Sequence, residues 1–185
     1  MEVILLRHGR PDLKQNHKLK ARELYKWIQN YNASGIDQSY SPTQKTMAMA
    51  QQCNRIVCSD YRRSTESAKL LGLQKIDLID PLFREAGLPY ANWNTIHARP
   101  ETWATLFRIL WFTGYHPNSE SYSDCKVRSQ KAARKLETLA EDSGIVLFIG
   151  HVFINRFIIK QLLSRGWQTS STYGTNHWSF SRFEK

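Results

Sequence analysis

The sequence lacks several features that mark particular classes of protein. No apolar run approaches the ~20 residues that span a bilayer. The first apolar run is cut short by Arg7 and His8, and Glu2 stands where a signal peptide would be basic, so we expect neither a membrane anchor nor a signal peptide. Three cysteines, an odd number without zinc-ligand spacing, predict buried thiols rather than disulfides or a metal site. These absences together predict a cytoplasmic protein.

Acidic residues are scarce relative to basic ones, with 16 against 26 and a net charge of +10. This excess fits general solubility, affinity for nucleic acid, or steering of an anionic small molecule into a cleft. The basic residues are dispersed without a long basic tail, and no nucleic-acid-binding motif is present. Nucleic acid is therefore the least favoured partner.

The chain also lacks repeats, low-complexity tracts and linkers rich in glycine, serine or proline. Its 185 residues therefore predict one domain over 1–185. Short apolar runs alternate with segments of helical periodicity, which predicts an α/β fold with three layers and a mostly parallel sheet covered on both faces. The runs are 3–6, 55–59, 75–79 and 145–149, with 178–183 as a possible edge strand.

Two further segments carry predictions. The aromatic-rich segment 86–123 interrupts the alternation and is predicted to be a helical or irregular cap insertion, its aromatic side chains serving mainly in packing. Ser41 and Pro42 predict the N-cap and first turn of a helix.

Polar side chains follow the predicted parallel strands, where each strand ends. Because the carboxyl ends of parallel strands meet at one sheet edge, we expect these residues to converge on one pocket. A guanidinium binds phosphate in bidentate fashion and an imidazole can act as a nucleophile. The residues concerned are Arg7-His8-Gly9, Ser59 with Arg62 and Arg63, Glu85, and Gly150-His151. The pattern indicates a site that holds a phosphoryl group and attacks it.

Four segments resemble, in order, the motifs of the histidine phosphatase superfamily, the phosphoglycerate mutase-like group. They are Leu6-Arg7-His8-Gly9, the stretch from Ser59 to Ala68, Leu82-Phe83-Arg84-Glu85, and Gly150-His151. The order and the strand–helix context fit across nearly the whole chain, with 86–123 the part that has no clear match.

The resemblance implies a role for each of five residues. His8 would be the nucleophile and become phosphohistidine. Arg7, Arg63 and His151 would bind the phosphoryl oxygens and neutralise charge in the transition state. Glu85 would protonate the leaving oxygen and then take a proton from the attacking water.

The resemblance also implies further phosphate contacts. Arg63 is preferred over Arg62 because it falls four residues after Ser59, although Arg62 is kept as a contact. No metal or other cofactor is expected, since three cationic groups already fill that role. The other implied contacts are Gly9, Lys14, Ser59 and Val152.

Departures from the mutase branch favour a phosphatase over a mutase. The first motif continues as Arg10-Pro11-Asp12-Leu13-Lys14 rather than Glu-Ser-x-Trp-Asn, so Lys14 stands near the place of the asparagine. Ser67 replaces the usual threonine of the second motif, and the chain is shorter than typical mutases. The alternatives are a phosphoglycerate-type mutase and a non-catalytic module that binds a phosphorylated ligand or a protein.

The substrate and the oligomeric state stay open at this stage. A small phosphorylated metabolite is expected, and candidates are phosphosugars, nucleotide-precursor monophosphates such as a ribazole phosphate, and phosphohistidine on a protein. Glu85 favours alkyl esters, because poor leaving groups need protonation. Surface or loop roles are expected for His17, His97, His116 and His177, with His97-Ala98-Arg99 the best of them as a substrate contact.

Overall fold

The computed structural model describes residues 1–13, 17–169 and 174–185. Its strands are β1 (Glu2–Arg7), β2 (Arg55–Cys58), β3 (Leu78–Ile79), β4 (Ile145–Gly150) and β5 (Phe180–Glu184). Its α-helices are α1 (Leu24–Ala33), α2 (Gln44–Ala50), α3 (Arg62–Leu70), α4 (Pro100–Phe112), α5 (Tyr122–Ser143) and α6 (Val152–Ser164).

The five strands form one sheet in the order β3-β2-β4-β1-β5. β1, β2, β3 and β4 are parallel, and β5 runs antiparallel to β1 at the edge. β1 and β4 are apolar on both faces because both faces are covered. The mostly parallel α/β sheet is confirmed, as is the predicted edge strand.

Alternate side chains of the central strands point into two separate cores. Ile4 and Leu6 pack in one core with Ala68 and Leu71, at the α3 side of the sheet. Val3 and Leu5 belong to the other, which includes residues of α5 and α6 such as Ala133 and Ile158. The sheet therefore lies between helices on both faces, and the predicted three layers are confirmed.

Residues 86–123 contain α4, a regular helix of 13 residues. Trp103 and Phe107 of α4 are buried in a third apolar cluster with Leu24 and Trp27 of α1. Trp111 is fully buried in a fourth cluster with Phe157 of α6. Packing is therefore confirmed as the role of these three α4 aromatic residues.

Local structure differs from the sequence prediction at one helix start. α2 begins at Gln44 rather than near Ser41, because the Thr43 hydroxyl accepts the Thr46 N–H and caps the helix there. α5 begins at Tyr122, where Ser121 and Asp124 form a capping box. Across the described ranges, no helix has both the length and the apolar character that crossing a bilayer requires.

Candidate active site

His8 lies immediately after β1, at the carboxyl edge of the sheet. Its backbone N–H donates to the Gly150 carbonyl at 3.0 Å, which joins the first motif to the last. Its Nδ1 lies 2.7 Å from the Gly9 carbonyl oxygen. A carbonyl only accepts hydrogen bonds, so Nδ1 carries the hydrogen and Nε2 carries the lone pair. His8 therefore presents the tautomer that a nucleophilic imidazole needs at Nε2.

Arg63 lies against the same His8 nitrogen. Its Nε donates to His8 Nε2 at 3.3 Å, and its Nη1 donates to the Tyr31 carbonyl at 3.0 Å. The guanidinium carbon lies 4.7 Å from the ring centroid of Tyr31 and 4.5 Å from that of Tyr61. Burial, and next the positive charge of Arg63, hold the pKa of His8 well below its usual 6.5. The His8 imidazole is consequently neutral at physiological pH.

His151 lies on another side of His8, with ring centroids 4.8 Å apart. Its Nε2 is 2.7 Å from the Ser59 hydroxyl oxygen, which also accepts the Tyr61 N–H at 3.4 Å. When the Ser59 hydroxyl donates its hydrogen to Nε2, the hydrogen of His151 is at Nδ1. Burial is the main reason that the pKa of His151 is also well below 6.5.

Two donors at this edge are buried without a hydrogen-bond partner, His151 Nδ1 and Arg7 Nε. The Arg7 guanidinium is otherwise engaged, since its Nη1 donates to the Thr175 carbonyl. An unpaired buried donor costs about 1–3 kcal/mol, so such groups are rare unless a ligand satisfies them. Both belong to residues that the sequence predicts as phosphate ligands, and both can donate to an anion.

Glu85 is fixed at the amino end of α6. Its Oε1 accepts backbone N–H bonds from Ala86 (2.9 Å), Phe153 (3.0 Å) and Ile154 (2.9 Å). Its Oε2 accepts a bond from Phe153 at 3.1 Å. Oε2 therefore accepts fewer hydrogen bonds than Oε1.

Gly9 and Ser67 connect the first two motifs. The Gly9 N–H donates to Ser67 Oγ at 2.8 Å, and the Ser67 hydroxyl donates to the Arg63 carbonyl at 2.6 Å. A Cβ on Gly9 would lie 2.4 Å from Cζ2 of Trp178, so only glycine fits there. The Ser67 hydroxyl makes both the bond from Gly9 and the bond to Arg63. The methyl group that the usual threonine would add is not needed for either bond.

The remaining predicted phosphate contacts are Arg62, Val152 and Lys14, and they differ in where the structure places them. Arg62 is not brought to His8: its side chain is exposed, its Nε pairs with Glu66 at 2.6 Å, and it lines a different groove beside Asp37. Its position at the start of α3 points the side chain away from the buried face that carries Arg63. Val152 is the first residue of α6, directly after His151. Lys14 lies outside the described residues.

His177 is a site residue that sequence reasoning missed. Its ring centroid is 5.6 Å from that of His8, and its Nδ1 is 3.2 Å from the His8 carbonyl oxygen. Burial, and next Arg7, lower its pKa to about 4. No sequence signal marked it, because its position depends on the antiparallel pairing of β5 with β1, which places the residues just before β5 at the carboxyl edge of β1. His177 is indeed in a loop, but in one that borders His8.

The segment His97-Ala98-Arg99 has a different position from the one expected of a substrate contact. Ala98 forms a backbone bridge with Leu19, and His97 and Arg99 are exposed. None of the three lines the cavity described next.

A cavity of about 620 Å³ opens beside the histidines. Glu85, Tyr61 and His177 line it at the sheet edge, and residues of α1 and α4 form opposite walls. Arg108 of α4 also lines the cavity. Its guanidinium binds the segment that follows Glu85, donating to the Ala86 carbonyl at 2.9 Å and to the Gly87 carbonyl at 3.0 Å. Among the described residues, no group of three or more His, Cys, Asp or Glu side chains could hold a metal ion.

Several solved structures share this fold at low sequence identity. The Mycobacterium tuberculosis protein of open reading frame Rv3214 is 19% identical with a TM-score of 0.63, over 98% of this chain and 89% of that one. Mycobacterial glucosyl-3-phosphoglycerate phosphatase Rv2419c, in complex with VO3, is 20% identical with a TM-score of 0.61, over 98% and 91%. Bacillus stearothermophilus YhfR is 16% identical with a TM-score of 0.59, over 88% and 80%. At such identities the likeness establishes the fold.

Comparison with curated protein sequences returns no match. The profile of the histidine phosphatase superfamily, branch 1, matches residues 3–184, nearly the full length. This match confirms the family and the enzyme class, a phosphatase, that the motifs predict: the chain belongs to the histidine phosphatase superfamily.

Proposed function

We propose that the protein hydrolyses a phosphomonoester through a phosphohistidine at His8, without a metal ion. The observation that carries this proposal is the arrangement around His8 Nε2. That nitrogen carries the lone pair and accepts a hydrogen bond from Arg63 Nε at 3.3 Å, while Arg7 Nε and His151 Nδ1 are buried and lack partners. A phosphoryl group bound here would satisfy both donors and meet the nucleophile.

The first half-reaction transfers the phosphoryl group to the enzyme. His8 Nε2 attacks phosphorus, so that a P–N bond forms while the ester P–O bond breaks. Arg7, Arg63 and His151 donate hydrogen bonds to the phosphoryl oxygens, on which charge is spread in the transition state. Glu85 Oε2 gives its proton to the departing alkoxide oxygen, and the alcohol leaves.

The second half-reaction frees the enzyme. Water takes the place of the alcohol, and Glu85, now a carboxylate, removes one of its protons as the water oxygen attacks phosphorus. The P–N bond breaks, its electron pair returns to Nε2 of His8, and inorganic phosphate leaves. Glu85 ends protonated at Oε2, as at the start.

The other predicted contacts take indirect or smaller roles in this proposal. Gly9 orients His8 through its carbonyl, and Ser59 orients His151 through its hydroxyl. Val152 offers a backbone N–H at the start of α6, where the helix dipole favours an anion. Lys14 is retained as a proposed phosphate ligand on the sequence argument alone, and Arg62 is not retained.

The proposed substrate is a small phosphorylated molecule, and the proposed location of the protein is the cytoplasm. The three cysteines are free thiols, and burial raises the pKa of Cys58 to about 12, which makes its thiol unreactive. Free thiols fit a reducing compartment. A non-catalytic binding role is disfavoured because Glu85, which binding alone does not require, is held beside the phosphoryl pocket by three backbone N–H groups.

The test is turnover of an aryl phosphate in the presence of EDTA, by the natural protein and by His8→Ala. The natural protein is expected to release phosphate and, when quenched during turnover, to carry an acid-labile, base-stable phosphoryl group. His8→Ala should lose both. Full turnover by His8→Ala, or a requirement for metal, would refute the mechanism.

A further inference from the structure

We infer that the alcohol of the natural phosphomonoester is large and mainly apolar, rather than a sugar or a short acid such as glycerate. This inference rests on the proposed function, because it assigns the cavity beside Glu85 to the leaving group. Three observations support it: the volume of that cavity, the apolar side chains in its lining, and the internal hydrogen bonds of Arg108.

The cavity is far larger than a phosphoryl group needs. His8, Arg63 and His151, which would surround phosphorus, are at most 2% exposed and lie behind the cavity lining rather than in it. Glu85 does line it, so the leaving oxygen would emerge directly into the open volume. Most of its roughly 620 Å³ is therefore available to the alcohol, within the usual range of small-molecule sites.

Apolar side chains of α1 and α4 form much of the cavity lining, interspersed with Tyr31, Asn32, Glu101 and Thr105. α1 contributes Trp27 and Ile28, and α4 contributes Ala104 and Ile109. Leu13 and Leu88 add further apolar surface from the connecting segments. Burying apolar surface stabilises a complex by about 25 cal/mol per Å², so a substrate with an apolar alcohol gains from these walls and a hydrated polyol does not.

One of the two arginines of the lining, Arg108, has its guanidinium hydrogen-bonded within the protein. The Arg108 guanidinium donates to two backbone carbonyls and lies 4.2 Å from the ring centroid of Phe153. That of Arg10 lies 4.3 Å from the ring centroid of Tyr40. Glu101, an exposed residue of α4, adds negative charge to the lining. A second acid group on the substrate would meet this carboxylate, and Arg108 is held by its own backbone contacts.

The test is a series of straight-chain primary alkyl phosphates, propyl, pentyl and heptyl, compared with glycerol 3-phosphate and 3-phosphoglycerate. The three alkyl esters have nearly equal leaving-group chemistry, so differences in kcat/KM report binding of the chain. We expect kcat/KM to rise about fourfold for each added methylene until the cavity is filled. The two polar esters should fall below propyl phosphate.

Matched variants on α4 locate the effect. Ile109 and Leu106 are both exposed apolar residues of this helix, but of the two only Ile109 belongs to the described lining. Ile109→Asn should lower the heptyl-to-propyl ratio of kcat/KM at least about threefold, roughly the effect of one methylene, whereas Leu106→Asn should leave it unchanged. Ala104→Gln, which narrows the cavity without removing packing atoms, should lower the same ratio.

The outcomes separate this inference from the proposed function. Turnover that does not depend on chain length, or a preference for glycerol 3-phosphate, overturns the inference and leaves the phosphohistidine mechanism intact. If no ester is turned over, the proposed function fails. The Kd values of the same esters, measured by calorimetry, then decide the inference: a rise in affinity with chain length supports it and a flat series overturns it.

Discussion

Arg63 donates a hydrogen bond to the nitrogen of His8 that carries the lone pair, with 3.3 Å between Arg63 Nε and His8 Nε2. Burial is the main reason that the pKa of His8 is low, and Arg63 adds to it because both partners would be cationic if His8 were protonated. The same guanidinium is available to a phosphoryl oxygen once phosphorus approaches Nε2. In the proposed mechanism Arg63 thus both prepares the nucleophile and binds its target.

The adjacent arginines Arg63 and Arg62 give a matched test of this role. Arg63→Lys should lower kcat/KM by about a hundredfold or more, because an ammonium cannot reproduce the planar contacts with His8, Tyr31 and Tyr61. Arg62→Lys should stay within about twofold, since its exposed pair with Glu66 is replaceable. Steady-state kinetics with an alkyl phosphate measure both. Equal losses in the two variants would contradict the assignment.

Glu85→Gln tests the proposed proton donor. A glutamine keeps an oxygen for the α6 amide hydrogens but cannot supply the proton, so turnover of alkyl phosphates should fall about 10²–10⁴-fold. Turnover of p-nitrophenyl phosphate should fall much less in the first step, because its phenolate leaves without protonation. Single-turnover phosphorylation of His8 by the two esters measures the difference. Glu141 on α5 is exposed, and Glu141→Gln serves as the control. If Glu85→Gln slows phosphorylation equally with both esters, the acid role is contradicted.

The buried histidines predict how stability depends on pH. The pKa of His177 is about 4 in the folded protein against an ordinary 6.5, so the unfolded chain binds the proton first as pH falls. This residue therefore lowers stability as pH drops from 6.5 toward 4 and adds no pH dependence above 6.5. His8 and His151 act in the same direction.

The measurement is the urea unfolding free energy at several pH values between 8 and 4. The natural protein should lose stability below about pH 6.5, and His177→Asn should show a shallower loss. The exposed His116→Asn should keep the natural slope. An unchanged slope in His177→Asn would show that this imidazole does not contribute.

Gly9→Ala tests the contact between the first motif and Trp178. The new methyl group would overlap Cζ2 of Trp178, which is held by the bond from its Nε1 to the Tyr40 carbonyl at 2.8 Å. We expect a loss of about 1–3 kcal/mol in the free energy of unfolding, with reduced turnover because His8 is displaced. In Gly9→Ala/Trp178→Leu the ring is absent, so the double variant should lose less than the sum of the single ones. Strict additivity would exclude the overlap as the cause.

The sequence predicted the sheet well, and for a physical reason. β1 and β4 are buried on both faces, so their sequences contain few polar residues and are easily identified as short apolar runs. The convergence of Arg7, His8, Arg63 and His151 followed from parallel strands alone. This convergence depends only on where the strands end, and short apolar runs mark those ends clearly.

Other features depended on contacts that no local pattern encodes. α4 packs on α1, a contact between distant parts of the chain that the four-residue spacing of Trp103, Phe107 and Trp111 does not specify. Arg62 and Arg63 are neighbours in sequence, and only their places on α3 decide that one is buried against His8 and the other exposed. His177 was missed because its position depends on the antiparallel direction of β5, which a strand prediction does not specify.

The sheet order also bears on when the site can form during synthesis. β1 lies between β4 and β5, although the ribosome makes it first and its two neighbours last. Until residues past 150 have emerged, both edges of β1 lack their partners, and His8 has neither the Gly150 carbonyl nor the His177 ring beside it. Such non-local pairing is slow and comes late in folding. A nascent chain therefore carries no working phosphatase, and hydrolysis begins only when the finished sheet closes around its first strand.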